Sequence, residues 1–78
     1  MLEILDTNMT IDIYVKILNE DLIVWRPVKA KFIKNNIFRI IDKSDFLGKF
    51  DEELEFVYGD IVKCYHKDDR YYAKELDG

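Results

Sequence analysis

Cys64 and His66 stand two residues apart, a spacing that puts both side chains on one face of a strand and within reach of one metal ion. They are also the chain's single cysteine and single histidine. A structural zinc site takes about four ligands of those two types, so a buried thiol beside a rim imidazole is the expected arrangement, with no metal. Nucleophilic chemistry finds no support either. Ser44, Thr7 and Thr10 have no histidine near them in sequence, and the chain holds no Gly-rich phosphate loop, paired-glycine motif or metal-hydrolase helix motif. The residues point to a protein that binds rather than converts, without a cofactor.

Four groups of side chains are candidates for that binding. Trp25 beside Arg26 and Pro27 has the composition of an interface hot spot if the indole lies on an edge strand; the alternative is a core Trp covered by Arg26. Tyr14, Tyr58, Tyr65, Tyr71 and Tyr72 can make an aromatic ledge or cover seams of the sheet, with Tyr14 and Tyr65 on outward strand phases. Asp51, Glu52 and Glu53, with Glu55, follow Phe46 and Phe50 as an acidic loop with apolar anchors, suited to a basic partner or simply solvated. Lys29, Lys31, Lys34 and Arg39, with Arg26, cluster on one predicted hairpin and would carry a nucleic-acid-binding role, the alternative being lysines that only solvate an edge.

The elements that must position these groups have a period of two. Ten Ile and five Val stand against two Ala, and five Tyr, five Phe and one Trp add to a strand-forming vocabulary. Ile11, Ile13, Val15 and Ile17 alternate with Asp12, Tyr14, Lys16 and Leu18, which predicts a first strand with four branched side chains on one face. Asn19-Glu20-Asp21 reads as a turn, and 22–34 as a second extended run in which Val28, Ala30 and Phe32 share a face. Pro27 cannot donate to a ladder, so that run is an edge strand or is bulged near Arg26 and Pro27. Asn35-Asn36 predicts a tight turn into a third strand over 37–41. The pattern lapses over 42–54, read as a long loop or short helical turn. A turn at Gly59-Asp60 then precedes a fourth strand over 61–66, and Lys67-Asp68-Asp69 turns the chain into a fifth over 70–76. Five short strands suggest an all-β fold, a small antiparallel barrel in one domain, because closing the sheet hides its edges.

Two resemblances bear on this architecture. Glu53-Leu54-Glu55-Phe56, Gly59-Asp60-Ile61-Val62 and 69–78, Asp-Arg-Tyr-Tyr-Ala-Lys-Glu-Leu-Asp-Gly, resemble the middle of a Src-homology-3 domain. That resemblance implies a diverging turn followed by two sheet strands, with Tyr71 lining a polyproline groove. Val24-Trp25-Arg26-Pro27-Val28-Lys29-Ala30, then Phe38-Arg39-Ile40, then Phe56, Gly59, Asp60, Val62 and Cys64 resemble short uncharacterised bacterial proteins, which implies a small barrel and no particular activity.

Composition bounds the rest. The chain has 78 residues, twelve basic and sixteen acidic side chains and a net charge of −4. Residues 1–39 carry +1 and 40–78 carry −5. An acidic total repels a phosphate backbone at long range, so nucleic acid is not the expected partner. A lone cysteine allows no intrachain disulfide and fits the cytoplasm. No stretch approaches the ~18 apolar residues that span a bilayer, and the N-terminus has no basic segment or long apolar run, so neither signal peptide nor membrane anchor is expected. The reading is a non-catalytic protein-interaction module: an adaptor, a regulatory subunit or an inhibitor of a basic effector, with its oligomeric state open. A single-strand-binding barrel is the alternative.

Overall fold

The computed structural model describes residues 9–18, 20–43 and 53–77. They form five strands and no helix: β1 (Thr10–Lys16), β2 (Trp25–Lys34), β3 (Ile37–Ile40), β4 (Ile61–Lys67) and β5 (Arg70–Leu76). Most of the 42–54 segment, including 44–52, lies outside the described residues. The strands pair in chain order and the sheet closes on itself between β1 and β5. Four seams are antiparallel. The closing seam is parallel, with Ile13 opposite Tyr71 and Tyr14 opposite Tyr72. An odd number of strands joined by direct reversals leaves the first and last pointing the same way, so the parallel seam follows from the count.

Alternation sorts the side chains. Ile13 and Val15 of β1, Val28 and Ala30 of β2, Phe38 and Ile40 of β3, Val62 and Cys64 of β4 and Ala73 of β5 are all buried inside the ring, as the period-two reading requires. Ile11 and Phe32 pack against this core partly buried. Leu54 and Phe56 add to it from the segment before β4. That segment is held beside the end of β1: the Leu18 N–H donates to the Glu53 carbonyl (2.7 Å) and the Glu55 N–H to the Lys16 carbonyl (2.9 Å).

The turns follow residue chemistry. Asn35 takes a positive φ of 49° between β2 and β3, and Asp68 and Asp69 take 53° and 64° between β4 and β5, which Asn and Asp tolerate better than other side chains. Before β4, Gly59 has a φ of 92°. The Val57 N–H donates to Asp60 Oδ2 (2.9 Å), and the Asp60 N–H returns to the Val57 carbonyl (3.0 Å). The turn is docked on β3, because the Gly59 N–H donates to the Ile40 carbonyl (2.8 Å) and the Ile40 N–H to the Asp60 carbonyl (2.9 Å). A Cβ on Gly59 would meet nothing within 4 Å. Gly59→Ala is therefore expected to cost only the left-handed backbone term, about 1–2 kcal/mol, read as a lower urea midpoint at unchanged slope; a loss well beyond that would mean the turn itself is rebuilt.

Pro27 sits in β2 without a bulge at that point, paired with Tyr14 in unbroken register. The Lys29 carbonyl accepts from the Ile41 N–H (2.9 Å), and the Lys29 N–H donates to Asp42 Oδ2 (3.2 Å). The backbone groups of Lys29 thus face away from β1, and Pro27, two residues earlier, shares that phase. Its missing N–H falls where β3 no longer pairs, since the β2–β3 ladder ends at Ala30. The edge alternative holds for this end of β2, and the bulge near Arg26 and Pro27 is corrected: the register shift lies between Phe32 and Lys34, with Ile33 the extra residue. A second shift leaves Lys74 extra in β5, between Glu75 opposite Lys63 and Ala73 opposite Cys64.

Candidate functional site

An unbulged start to β2 fixes the face of Trp25. With Val28 and Ala30 inside, residues 25, 27, 29 and 31 point outward, so the core-Trp alternative is corrected: Trp25 is half-buried on the outer wall, and Arg26, opposite Val15, takes the inward phase. The same rule applied from Ala73 sends Tyr72 outward and Tyr71 inward.

Four rings meet on that wall. Tyr72 is the hub: Tyr65 stacks on it at 5.3 Å, Trp25 meets it edge-on at 5.0 Å, and Tyr14 lies tilted at 5.5 Å. Strand register explains the assembly, because Tyr72 is directly opposite Tyr14 across the parallel seam and opposite Tyr65 across the β4–β5 seam. Contacts of this kind contribute about 0.5–1.5 kcal/mol each beyond their area. Two cations border the cluster: the Lys16 ammonium stands 5.9 Å from the Trp25 ring and the Arg70 guanidinium 5.1 Å from the Tyr14 ring. Tyr65 is the most open of the four, 41% exposed.

Exposed aliphatic residues precede Trp25 in the chain. Leu22 and Ile23 are 79% and 73% exposed, and Leu18 and Val24 are also exposed. Val24 directly precedes Trp25, and its carbonyl accepts from the Ile17 N–H (2.9 Å), so the connection between β1 and β2 is pinned at its base while its apolar side chains face water. A run of exposed large apolar side chains next in sequence to an aromatic cluster is a candidate interaction surface.

The other candidates lie elsewhere. Tyr71 packs on Phe38 at 4.9 Å and on His66 at 4.6 Å, and Phe38 in turn meets Phe32 at 5.6 Å. This row of rings joins the core, and Tyr71 is separated from the outer ledge by one residue's change of face. Tyr58 lies apart, under the Lys43 ammonium at 5.3 Å. Cys64 faces the apolar interior, and burial pushes its thiol up to about 12. Lys29, Lys31, Lys34 and Arg39 are all exposed on β2 and β3, and the Lys29 ammonium pairs with Asp12 at 3.4 Å. Glu53 is exposed; Asp51 and Glu52 lie outside the described residues.

Of the five tyrosines expected to form a ledge or cover seams, Tyr72 is the centre of the cluster and Tyr14 and Tyr65 join it, whereas Tyr58 and Tyr71 lie outside it. The signal for the face of Tyr72 was present in Ala73, whose small side chain fits an inward position and sends its predecessor out. Leu22 and Ile23 were read as part of the second strand, yet the strand begins at Trp25, where pairing with Lys16 starts. No helix among the described residues is long and apolar enough to cross a membrane. No family model, no curated protein and no solved structure matches the chain.

Proposed function

We propose that this chain is a non-catalytic protein-binding module of the cytoplasm, built as an SH3-like small barrel, whose partner docks on the outer aromatic cluster and the aliphatic connection beside it. The observation that carries the reading is the cluster of Trp25, Tyr14 and Tyr65 around Tyr72 on the outer wall, with the exposed run Leu22, Ile23 and Val24 directly before Trp25 in the chain. Closure of the sheet leaves edge only where a seam stops short, as at the start of β2, so the proposed recognition falls to side chains, and aromatic anchors supply most of the energy in such interfaces. Lys16 and Arg70 at the border favour a partner that meets the rings with carboxylates around an apolar centre. The roles compatible with this surface are those of an adaptor, a regulatory subunit or an inhibitor.

The test compares partner recovery by the full chain and its variants. Tyr65→Ala and Ile23→Ser remove exposed side chains, so both are expected to leave the fold intact while weakening a captured partner by about 30-fold each, the scale of a hot-spot residue. Undiminished affinity in both variants, with an unchanged circular dichroism spectrum, overturns the assignment of this surface.

A further inference from the structure

The strand boundaries reveal a sorting of charge that the totals conceal. The five strands hold ten of the twelve basic side chains and two of the sixteen acidic ones, Asp12 and Glu75. The other acidic side chains among the described residues lie in connections or just after β5. Two like-charged pairs stand directly opposite one another across seams: Lys31 with Arg39, and Lys67 with Arg70. Opposed like charges destabilise a sheet, and nothing local relieves the first pair: Lys31, Lys34, Arg39 and Lys63 form no ion pair among the described residues. Their neighbours across the seams are Thr10 beside Lys31, Ile61 beside Arg39, and Ile37 and Glu75 beside Lys63.

We infer that this outer face of β2, β3 and β4 is a second binding surface, which takes single-stranded nucleic acid through its phosphates. The net charge of −4 belongs to the whole chain; at physiological salt, charges more than ~8 Å away are largely screened, and the molecule is 38 Å along its longest axis. A polyanion lying across Lys31 and Arg39 relieves the repulsion the fold carries when free. A single strand suits the surface better than a duplex. Reading a duplex groove takes a helix or a projecting two-stranded ribbon, whereas the described residues form no helix and the strands are wrapped into a closed sheet. The outward row of β2 also leads from Lys31 and Lys29 past Pro27 to Trp25, so bases of a strand held by its phosphates have a ring to stack on. The two proposed surfaces share Trp25 alone; the cations lie outside the aromatic cluster, so the phosphate-binding test does not rest on the protein-binding reading.

The experiment is fluorescence anisotropy of a labelled oligothymidylate with the full chain over a salt series. Binding at low salt is expected, weakening with a log–log slope of about −0.7 for each phosphate contact, near −3 for four cations. Arg39→Glu is expected to weaken binding at least tenfold while raising the thermal midpoint, because it sets opposite charges across the seam. Lys31→Glu should do the same, and the double variant should lose the gain in midpoint while staying unable to bind. A merely solvated lysine face would show the stability changes without any binding. The inference is overturned if the oligonucleotide does not bind at low salt, if Arg39→Glu binds as well as the parent, or if polyglutamate binds as tightly as the oligonucleotide.

Discussion

Phe38→Ala is expected to remove about 3–5 kcal/mol of folding stability, the cost of emptying a large aromatic site in a packed interior. Phe38 is fully buried and is the largest of the completely buried side chains. Its ring touches Phe32 and Tyr71, so truncation loosens the row that ends at His66 as well as leaving a void. A chain of 78 residues has a total stability of only about 4–12 kcal/mol at the usual ~0.05–0.15 kcal/mol per residue. The variant should therefore lose most of its margin, with a collapse of the near-ultraviolet aromatic signal and a urea midpoint near zero. Tyr65→Ala, at the exposed end of the outer cluster, should lose no more than about 1 kcal/mol in the same measurement. Equal losses in the two variants would mean that the outer rings, not Phe38, hold the sheet closed.

The contrast between Phe38 and Tyr65 also shows where the sequence was legible. Ile13, Val15, Val28, Ala30, Val62 and Cys64 all lie inside as their alternation requires, because a strand's period is fixed by its backbone and nothing in those segments interrupts it. The Asn35, Asp68 and Gly59 turns announced themselves through residues that tolerate positive φ. The bulge at Ile33 carried no such mark: it falls in an unbroken run of strand-forming residues, and its cause is register against β3 rather than local preference. Pro27 drew attention to the wrong place for a physical reason, since its lost donor is harmless where the neighbouring strand has already ended. Once the phase of β2 was open, so was the face of Trp25, and the outer cluster that depends on it could not be assembled. The paired tyrosines posed the same problem in β5, where a one-residue choice of phase decides which ring joins Phe38 and which joins Trp25. Strand boundaries add a division of charge that halves of the chain do not show: Lys and Arg hold the strands, while most of the described Asp and Glu lie in connections.

Raising the pH from 9 to 12 is expected to destabilise the fold through Cys64 by about 1.4 kcal/mol per pH unit. In the unfolded chain this thiol ionises at its ordinary value of 9.0, whereas burial in the native interior pushes it up to about 12. Below pH 9 both states hold the proton and the thiol has no effect on the balance. Above it the unfolded chain gains by releasing the proton and the folded chain does not, so stability falls steadily until the native thiol also ionises. Tyrosines and lysines titrate in the same range, which makes the difference between parent and Cys64→Ala the informative quantity. Urea midpoints taken from pH 8 to 10.5 should fall more steeply in the parent, and the Cys64→Ala variant, less stable at pH 8 from its lost packing, should draw level as the pH rises. Parallel curves would show that the thiol ionises while folded and that solvent reaches it. The same burial governs reactivity, because the thiolate is the attacking form: with Ile13, Phe38, Val62 and Ala73 in the same core, modification of Cys64 by a thiol reagent at pH 8 should proceed only as fast as the sheet opens.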